Sequence, residues 1–275
     1  FTLHRGARAA NEPPDSPEKA QMRQEYALWN ERGGAGGPLL VLLHGLGGNS
    51  AVWQSLKPSL AMHWVGRWIA PDFAGHGRSP HRGPYSIERH AADVAALLEG
   101  ENDVTVVGHS MGGLIAMAIA SNRFGVRPKR VAAFSVKTRW SDEEIARAQS
   151  ISRAPVRLFD RRADAVDRYM LVSGLKELLA PDSTAALSGV VEENGYFRLA
   201  TDPLAYSLEI PEVGKIAAAV DAPLELLCGE LDTITDCEQM RLLGRPVIAL
   251  RGCGHNPHVE APELLWREMM RGFAA

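Results

Sequence analysis

Cysteine and long apolar runs are both scarce in this 275-residue sequence. Its three cysteines, Cys228, Cys237 and Cys253, are too few and too scattered to form a disulfide framework, which favours a reducing compartment. No stretch approaches the roughly 18 consecutive apolar residues that a membrane-spanning helix needs. Residues 1–10 are interrupted by charge and lack the apolar core of a secretory signal. We therefore expect no membrane association and a cytoplasmic location.

The sequence has no excess of basic residues that could bind a polyanion. Lysine and arginine total 30 and aspartate and glutamate total 33, so the formal net charge is -3 and there is no basic excess. Nucleic-acid binding is therefore not expected. Hydrophobic residues make up 45% and charged residues 23%, and the length suits one α/β core that carries an insertion. The expected partner is a small-molecule substrate, and the expected assembly is a monomer or a homodimer.

One stretch joins a strand pattern to a helix pattern through a serine flanked by glycines. The β-branched run Val104–Val107 leads into Gly108-His109-Ser110-Met111-Gly112, and an alanine-rich apolar run at 114–120 follows at once. Glycines fit there because a serine held on so sharp a turn leaves no room for neighbouring β-carbons. The turn exposes the Ser110 hydroxyl and aims the first N–H groups of the helix at a reacting oxygen. This is the pattern of a nucleophile elbow, although Gly-x-Ser-x-Gly also occurs by chance.

Apolar strand patterns alternate with helical ones along most of the chain. Ser86 is expected to cap a helix, and Pro262 is expected to open a terminal one. The glycine cluster at 33–38 is interpreted as a hairpin-like connection. This alternation predicts an α/β fold with a mainly parallel, twisted sheet flanked by helices. The predicted strands lie at 23–31, 39–43, 67–69, 104–107, 131–136, 224–228 and 246–250.

The strand-helix rhythm breaks after Val136. Residues 137–219 are charged, prone to form helices and punctuated by prolines, and they contain no convincing strand. We therefore predict a core formed by residues 1–136 and 220–275, with a helical cap at 137–219 inserted after the sixth strand.

The ends of the predicted strands carry residues with catalytic chemistry. Ligands of open α/β sheets bind at the carboxyl ends of the strands, where this sequence has His44, Asp72, Ser110, Asp232 and His255. A serine needs a general base and a carboxylate that orients the base, and the chain order Ser, Asp, His supplies both. The other histidines are interpreted as structural, and Asp72 is expected to tie down its own turn. Glu230 and Asp236 remain as alternative carboxylates near Asp232.

Two alternative sites are less consistent with the sequence. The glycine-rich segment 45–50, followed by Asp72, resembles a dinucleotide-binding turn, but Ser50 stands where the third glycine is needed. Cys253, His255 and His258 are close in sequence, but no further ligands follow at zinc spacing. We therefore predict no cofactor and no metal.

Taken together, the motifs resemble those of the α/β-hydrolase fold family, in particular its small, capped serine hydrolases. That resemblance implies that Ser110 is the nucleophile, His255 the base and Asp232 its orienting acid. It also implies an oxyanion hole made by the backbone N–H groups of Leu46 and Met111. The motifs run in the family order and comprise His44-Gly45-Leu46-Gly47-Gly48, Asp72-Phe73-Ala74-Gly75-His76-Gly77-Arg78-Ser79, Gly108-His109-Ser110-Met111-Gly112-Gly113, Gly229-Glu230-Leu231-Asp232 and Gly254-His255.

The sequence restricts the substrate only loosely. Arg139 follows a strand end and is a candidate partner for a substrate carboxylate, whereas the alternative is a solvated charge. Residues that could line an apolar pocket, although residues of these types at helical spacing more often belong to the core, are Trp53, Trp140, Tyr169 and Met170.

The leading hypothesis for the activity is hydrolysis of a small carboxylic ester, with a lactone or enol-lactone included. Hydrolysis of a carbon–carbon bond in a vinylogous diketone is an alternative. Relatives with that activity usually have Asn before the serine and Trp after the histidine, where this chain has His109 and Asn256. A small-molecule receptor on the same fold is a further alternative from a different class.

Overall fold

A computed structural model describes residues 27–207 and 209–274 of the chain. In this part, seven strands form one sheet in the order β1-β3-β2-β4-β5-β8-β9, and two more form a separate hairpin, β6-β7. Within the large sheet β1 runs antiparallel to β3, and the other neighbouring strands are parallel. The strands are β1 (Asn30–Gly34), β2 (Leu39–Leu43), β3 (Arg67–Pro71), β4 (Val104–His109), β5 (Arg130–Phe134), β6 (Val190–Glu193), β7 (Tyr196–Leu199), β8 (Leu224–Gly229) and β9 (Val247–Leu250).

Helices connect these strands and cover both faces of the sheet. Ser86 caps α2 as predicted, because its side chain accepts a hydrogen bond from the backbone N–H of Arg89. Short 3₁₀ helices form at Ser50–Leu56 and Pro203–Ser207. The α-helices are α1 (Lys57–His63), α2 (Ile87–Leu97), α3 (Met111–Ile119), α4 (Asp142–Arg153), α5 (Arg162–Val172), α6 (Thr184–Ser188), α7 (Val213–Ala218), α8 (Cys237–Arg241), α9 (Pro257–Glu260) and α10 (Pro262–Ala274).

The core consists of two hydrophobic layers, one on each face of the sheet. Helices α2, α3 and α7 contribute to the layer on one face, and α1 and α10 to the layer on the other, which α5 and α6 extend by packing on the β6-β7 hairpin and the 3₁₀ helix at Ser50–Leu56. The strand β2 is buried along its whole length, as its continuous apolar sequence predicts for a strand covered on both sides. The mainly parallel sheet flanked by helices is therefore confirmed.

The first strand differs from its prediction. Residues 23–26 of the predicted strand lie outside the described residues, and the observed strand starts at Asn30. It pairs with β3, so the glycine cluster at 33–38 is not a hairpin between neighbouring strands. Positive φ values at Gly34, Gly36 and Gly37 let the chain leave β1 and cross to β2, which lies beyond β3.

The region predicted as a helical cap contains strands as well as helices. Five described strands precede it, whereas the prediction placed it after the sixth. Within it β6 and β7 form an antiparallel hairpin whose turn is Asn194-Gly195, both at positive φ. Asn-Gly is the strongest short signal for such a turn, so this hairpin was detectable from sequence. Near the end of the region, α7 buries Val213 and Ala217 in the same hydrophobic cluster as α3.

A disulfide joins Cys228 to Cys237, a pairing that was not predicted from the sequence, which excluded a disulfide framework. The turn after β8 brings their Cα atoms to 5.6 Å, within the range that a disulfide spans. The bond closes the loop that carries Asp232, and Cys253 stays free and buried. Cysteine usage therefore no longer favours the cytoplasm.

The helices described here are also too short or too polar for a bilayer. Across residues 27–207 and 209–274, no helix combines the length and apolarity needed to cross a membrane.

Candidate active site

Ser110 lies on the sharp turn between β4 and α3. Its backbone φ is 52° and its ψ is -117°, a combination rarely adopted by residues other than glycine. A β-carbon on Gly108 would lie 2.2 Å from the Gly112 carbonyl oxygen, and one on Gly112 would lie 2.3 Å from the Leu43 oxygen. Both glycines are therefore required sterically, as the sequence pattern predicts.

His255 and Asp232 are brought together by the loops that follow β9 and β8. His255 Nδ1 lies 2.9 Å from Asp232 Oδ2. The Asp232 side chain is fully buried, whereas 16% of the His255 side chain is exposed. The carboxylate therefore holds one ring nitrogen of an imidazole whose other side remains accessible.

The carboxylate of Asp232 accepts several further hydrogen bonds. Its Oδ1 accepts from the backbone N–H groups of Ile234, at 2.8 Å, and of Thr235, at 3.0 Å. The Thr235 hydroxyl donates to the same Oδ2 that faces His255. Burial raises the pKa of Asp232, but the hydrogen bonds from His255 and Thr235 outweigh burial and lower the pKa to about 2. Asp232 is therefore ionised at any pH near neutrality.

Ser110 and His255 line one cavity of about 770 Å³, together with Leu46 and Met111. Among the hydrogen bonds of the described residues, none is donated by the backbone N–H of Leu46 or of Met111. Backbone donors in protein interiors are almost always paired. Two unused donors beside Ser110 therefore provide a place for a negatively charged oxygen.

The loop that carries Leu46 is held by two buried polar side chains. His44 Nδ1 donates to the Gly45 carbonyl at 2.8 Å, and His44 Nε2 accepts from the Phe73 N–H at 3.0 Å. Asp72 accepts from the backbone N–H of Ser50 at 2.6 Å and of Arg78 at 2.9 Å. The prediction that Asp72 ties down its turn is confirmed, and it anchors the Leu46 loop as well.

His109 has a contact that sequence reasoning missed. The sequence placed it inside the elbow and pointing away from the site, but its Nε2 lies 2.8 Å from the backbone oxygen of His255. Burial lowers the pKa of His109 well below its ordinary value, so the ring is neutral and its Nε2–H donates to that oxygen. His109 thus links the nucleophile turn directly to the loop of His255.

The predicted substrate residues separate into two groups. Trp140 lines the cavity at Ser110, as proposed from sequence. Arg139 lines a neighbouring polar cavity near Asp232 instead. Trp53, Tyr169 and Met170 do not line the cavity, because all three are buried in the hydrophobic cluster to which α5 and α6 contribute.

Other residues at the site have no signal in the sequence. Tyr206 lines the cavity, and its hydroxyl would lie 2.9 Å from a β-carbon on Gly47 of the Leu46 loop. Asn256 donates from Nδ2 to the Gly174 carbonyl at 3.1 Å, which joins the His255 loop to the segment after α5. These contacts join distant segments, so the local sequence pattern does not predict them.

Metal binding has no structural support in the described part of the chain. No group of three His, Cys, Asp or Glu side chains is arranged there to hold an ion. Cys253 and His258, considered above with His255, are both buried.

Comparison with known proteins identifies the fold. A model of the alpha/beta hydrolase family matches residues 40–268. The chain belongs to this family. A 106-residue segment is 41% identical to the lipase LipV of Mycobacterium tuberculosis and covers 38% of this chain and 38% of that protein. A longer segment of 249 residues is 26% identical to the pimeloyl-acyl-carrier-protein methyl ester esterase of Neisseria meningitidis and covers 85% of this chain and 77% of that protein.

Known structures of hydrolases show the same architecture. E-2-(acetamidomethylene)succinate hydrolase superposes with a TM-score of 0.75 at 21% identity, over 90% of this chain and 94% of that one. The thioesterase domain from the curacin biosynthetic pathway superposes with a TM-score of 0.72 at 21% identity, over 88% of this chain and 94% of that one. At this level of identity the likeness shows the fold.

Buried histidines are expected to make the fold sensitive to acid. Burial lowers the pKa of four of them from 6.5 to about 3 and that of His109 in the same direction; the four are His44, His76, His90 and His258. Between about pH 6.5 and pH 3 the unfolded chain binds protons at these histidines that the folded chain does not bind. The free energy of unfolding therefore decreases as pH falls through this range. Each of these four histidines costs about 2 kcal/mol by pH 5, and together they approach a domain's whole stability of about 5–15 kcal/mol. Urea denaturation from pH 8 to pH 5 should show this loss.

A matched pair of variants tests the cause of the acid sensitivity. In the described structure neither ring nitrogen of His90 has a hydrogen-bond partner, whereas His63 is exposed at the end of α1. His90→Leu should flatten the pH dependence by about 1 kcal/mol per pH unit. His63→Leu should leave it unchanged. Equal slopes in His90→Leu and the parent protein would show that burial of His90 does not cause the effect.

Proposed function

We propose that the protein is a serine hydrolase of small carboxylic esters, including lactones and enol-lactones. Ser110 is the nucleophile, His255 the general base and Asp232 the acid that orients the base. The observation that carries the proposal is the pair of unused backbone N–H groups, of Leu46 and Met111, in the same cavity as Ser110 and His255. The esterase and lipase among the relatives support the same class of reaction.

The reaction proceeds through an acyl-enzyme. Nε2 of His255 takes the proton of Ser110 as Oγ attacks the ester carbonyl, and Asp232 stabilises the imidazolium. The carbonyl oxygen becomes an oxyanion that accepts hydrogen bonds from Leu46 N–H and Met111 N–H. His255 then protonates the leaving alcohol, and water releases the acyl group by the reverse path. These residues complete the reaction without a cofactor.

The region after β5 acts as the cap over this site. Trp140, α4 and the 3₁₀ helix at Pro203–Ser207 contribute side chains to the cavity wall. Since α7 packs against the sheet layer, we place the end of the cap before Val213.

Labelling with a fluorophosphonate probe tests the proposal. This reagent phosphonylates a serine activated by a neighbouring base, so we expect one label per chain, on Ser110, with parallel loss of p-nitrophenyl acetate hydrolysis. Peptide mass spectrometry locates the label. A protein that hydrolyses neither this ester nor a lactone panel and stays unlabelled at Ser110 would be a receptor or have a different activity.

A further inference from the structure

Helix α4 differs from its neighbours because it buries none of its residues. Its neighbour α5 buries Ala165, Val166, Tyr169 and Met170 in the core, whereas every side chain of α4 is at least partly exposed. The helix is held instead by packing against the 3₁₀ helix at Pro203–Ser207 and at its first turn. Ser141 and Glu144 form a capping box there, and Glu144 also pairs with Lys137 after β5.

One stripe of α4 faces the cavity rather than the core. Its members, at the spacing of one helix face, are Ile145, Ala148, Gln149, Ser152 and Arg153. Side chains from several other segments complete the cavity, among them Ile87, Leu114, Val172 and Ile210. Ile145 and Ala148 of this stripe face the cavity instead of the core, so they can contact an apolar group that enters it.

The stripe changes from apolar to polar along the helix. Ile145 and Ala148 come first, and Gln149, Ser152 and Arg153 follow. The apolar end lies towards the candidate triad, because Lys137 joins Glu144 to the carbonyl of Ile234, two residues from Asp232. From Ile145 to Ser152 the helix rises by about 10 Å, the length of an extended chain of roughly eight carbons.

We propose that the substrates are esters with a linear acyl chain of medium length, about six to eight carbons, that lies beneath α4. This rests on the ester hydrolysis proposed above and specifies its substrate class. The first carbons of the chain contact Ile145 and Ala148, the following carbons pass Gln149 and reach Ser152, and longer chains would place methylenes against Ser152 and Arg153. Medium chains are therefore favoured over both short and long ones.

A series of p-nitrophenyl esters from acetate to dodecanoate, each below its solubility limit, tests the chain-length preference. Each buried methylene raises kcat/KM by up to about fourfold. We expect octanoate to exceed acetate by about 100-fold or more and dodecanoate to fall below octanoate. A preference for acetate, or rates that rise steadily to dodecanoate, would overturn the proposal.

Two alanines on α4 provide a matched pair of variants. Ala148 lines the cavity, whereas Ala146 is exposed and does not. Ala148→Trp should lower the ratio of octanoate to acetate kcat/KM by at least about tenfold, because the indole fills the space of the chain. Ala146→Trp makes the same change outside the cavity and should leave that ratio unaltered. If both variants change the ratio equally, the chain does not lie beneath α4.

The two proposals fail in different ways. If no ester in the series is hydrolysed and Ser110 is not labelled, ester hydrolysis itself is wrong. If acetate is hydrolysed and Ser110 is labelled but chain length has no effect, only the assignment of medium-chain substrates is wrong.

Discussion

Ser110→Ala is expected to lower kcat/KM for p-nitrophenyl acetate by about 10⁴-fold or more. The oxyanion donors and the cavity remain in this variant, so a small residual rate over water should persist. Alanine keeps the β-carbon of serine, and the turn between β4 and α3 already holds this position at φ 52°. The unfolding temperature should therefore change little. Initial rates and thermal unfolding followed by circular dichroism measure the two effects separately.

Ser135 offers a matched control for that substitution. It directly follows β5, its φ is 50°, and its Oγ is buried with no hydrogen-bond partner in the described structure. It does not line the cavity at Ser110. Ser135→Ala therefore removes a hydroxyl from similar backbone without touching the site, and activity should be kept. Equal losses in both variants would assign the effect to the strained backbone instead of the nucleophile.

Local signals determined most of the elements that could be predicted. Five consecutive apolar residues, Leu39–Leu43, indicate a strand that is covered by helices on both faces of a sheet. The structure places β2 there, buried along its whole length. Ser86 and Pro262 begin helices because their effects on the backbone operate within one turn. The pairing of Asp232 with His255 could also be predicted, because parallel strands bring their carboxyl ends, and the loops that follow them, to one edge of the sheet.

Apart from the β6-β7 hairpin, which has a local turn signal, the errors concern contacts that no local pattern records. The pairing of β1 with β3 depends on which edge of the sheet is free, which no local pattern records. Trp53 and Ile145 are both apolar, yet one is buried in the core and the other lines the cavity, because α4 is held away from the sheet. The disulfide between Cys228 and Cys237 similarly depends on the turn that carries Asp232.

Asp232→Asn is expected to lower kcat for the same ester by about 10³–10⁴-fold while the protein stays folded. The amide oxygen can still accept from the backbone N–H groups of Ile234 and Thr235, so the loop is retained. The amide nitrogen then replaces Oδ2, which faces Nδ1 of His255. An N–H group there donates to Nδ1 and forces the proton of the neutral ring onto Nε2. A protonated Nε2 cannot accept the proton of Ser110.

The pH dependence of this variant separates orientation from ionisation. Because the pKa of Asp232 is lowered from 3.8 to about 2, the wild-type carboxylate is ionised throughout the range in which activity is measured. Its stabilising contribution is present above pH 3.8 and is lost as pH falls towards 2. Loss of activity above pH 4 therefore has another origin, and Asp232→Asn should be impaired at every pH from 5 to 9.

Two neighbouring carboxylates provide controls for the same change. Glu230 accepts from the backbone N–H of Gly252 at 3.0 Å, and Asp236 caps α8 by accepting from Glu238 N–H at 2.8 Å. Neither contacts His255, so Glu230→Gln and Asp236→Asn should keep kcat within about threefold and cost at most a capping hydrogen bond in stability. A 10³-fold loss in either control, with Asp232→Asn active, would assign the orienting role to the other carboxylate. Glu230 or Asp236, the alternatives left open by the sequence, would then replace Asp232. An active Asp232→Asn variant would mean that the amide at 232 leaves the tautomer of His255 unchanged.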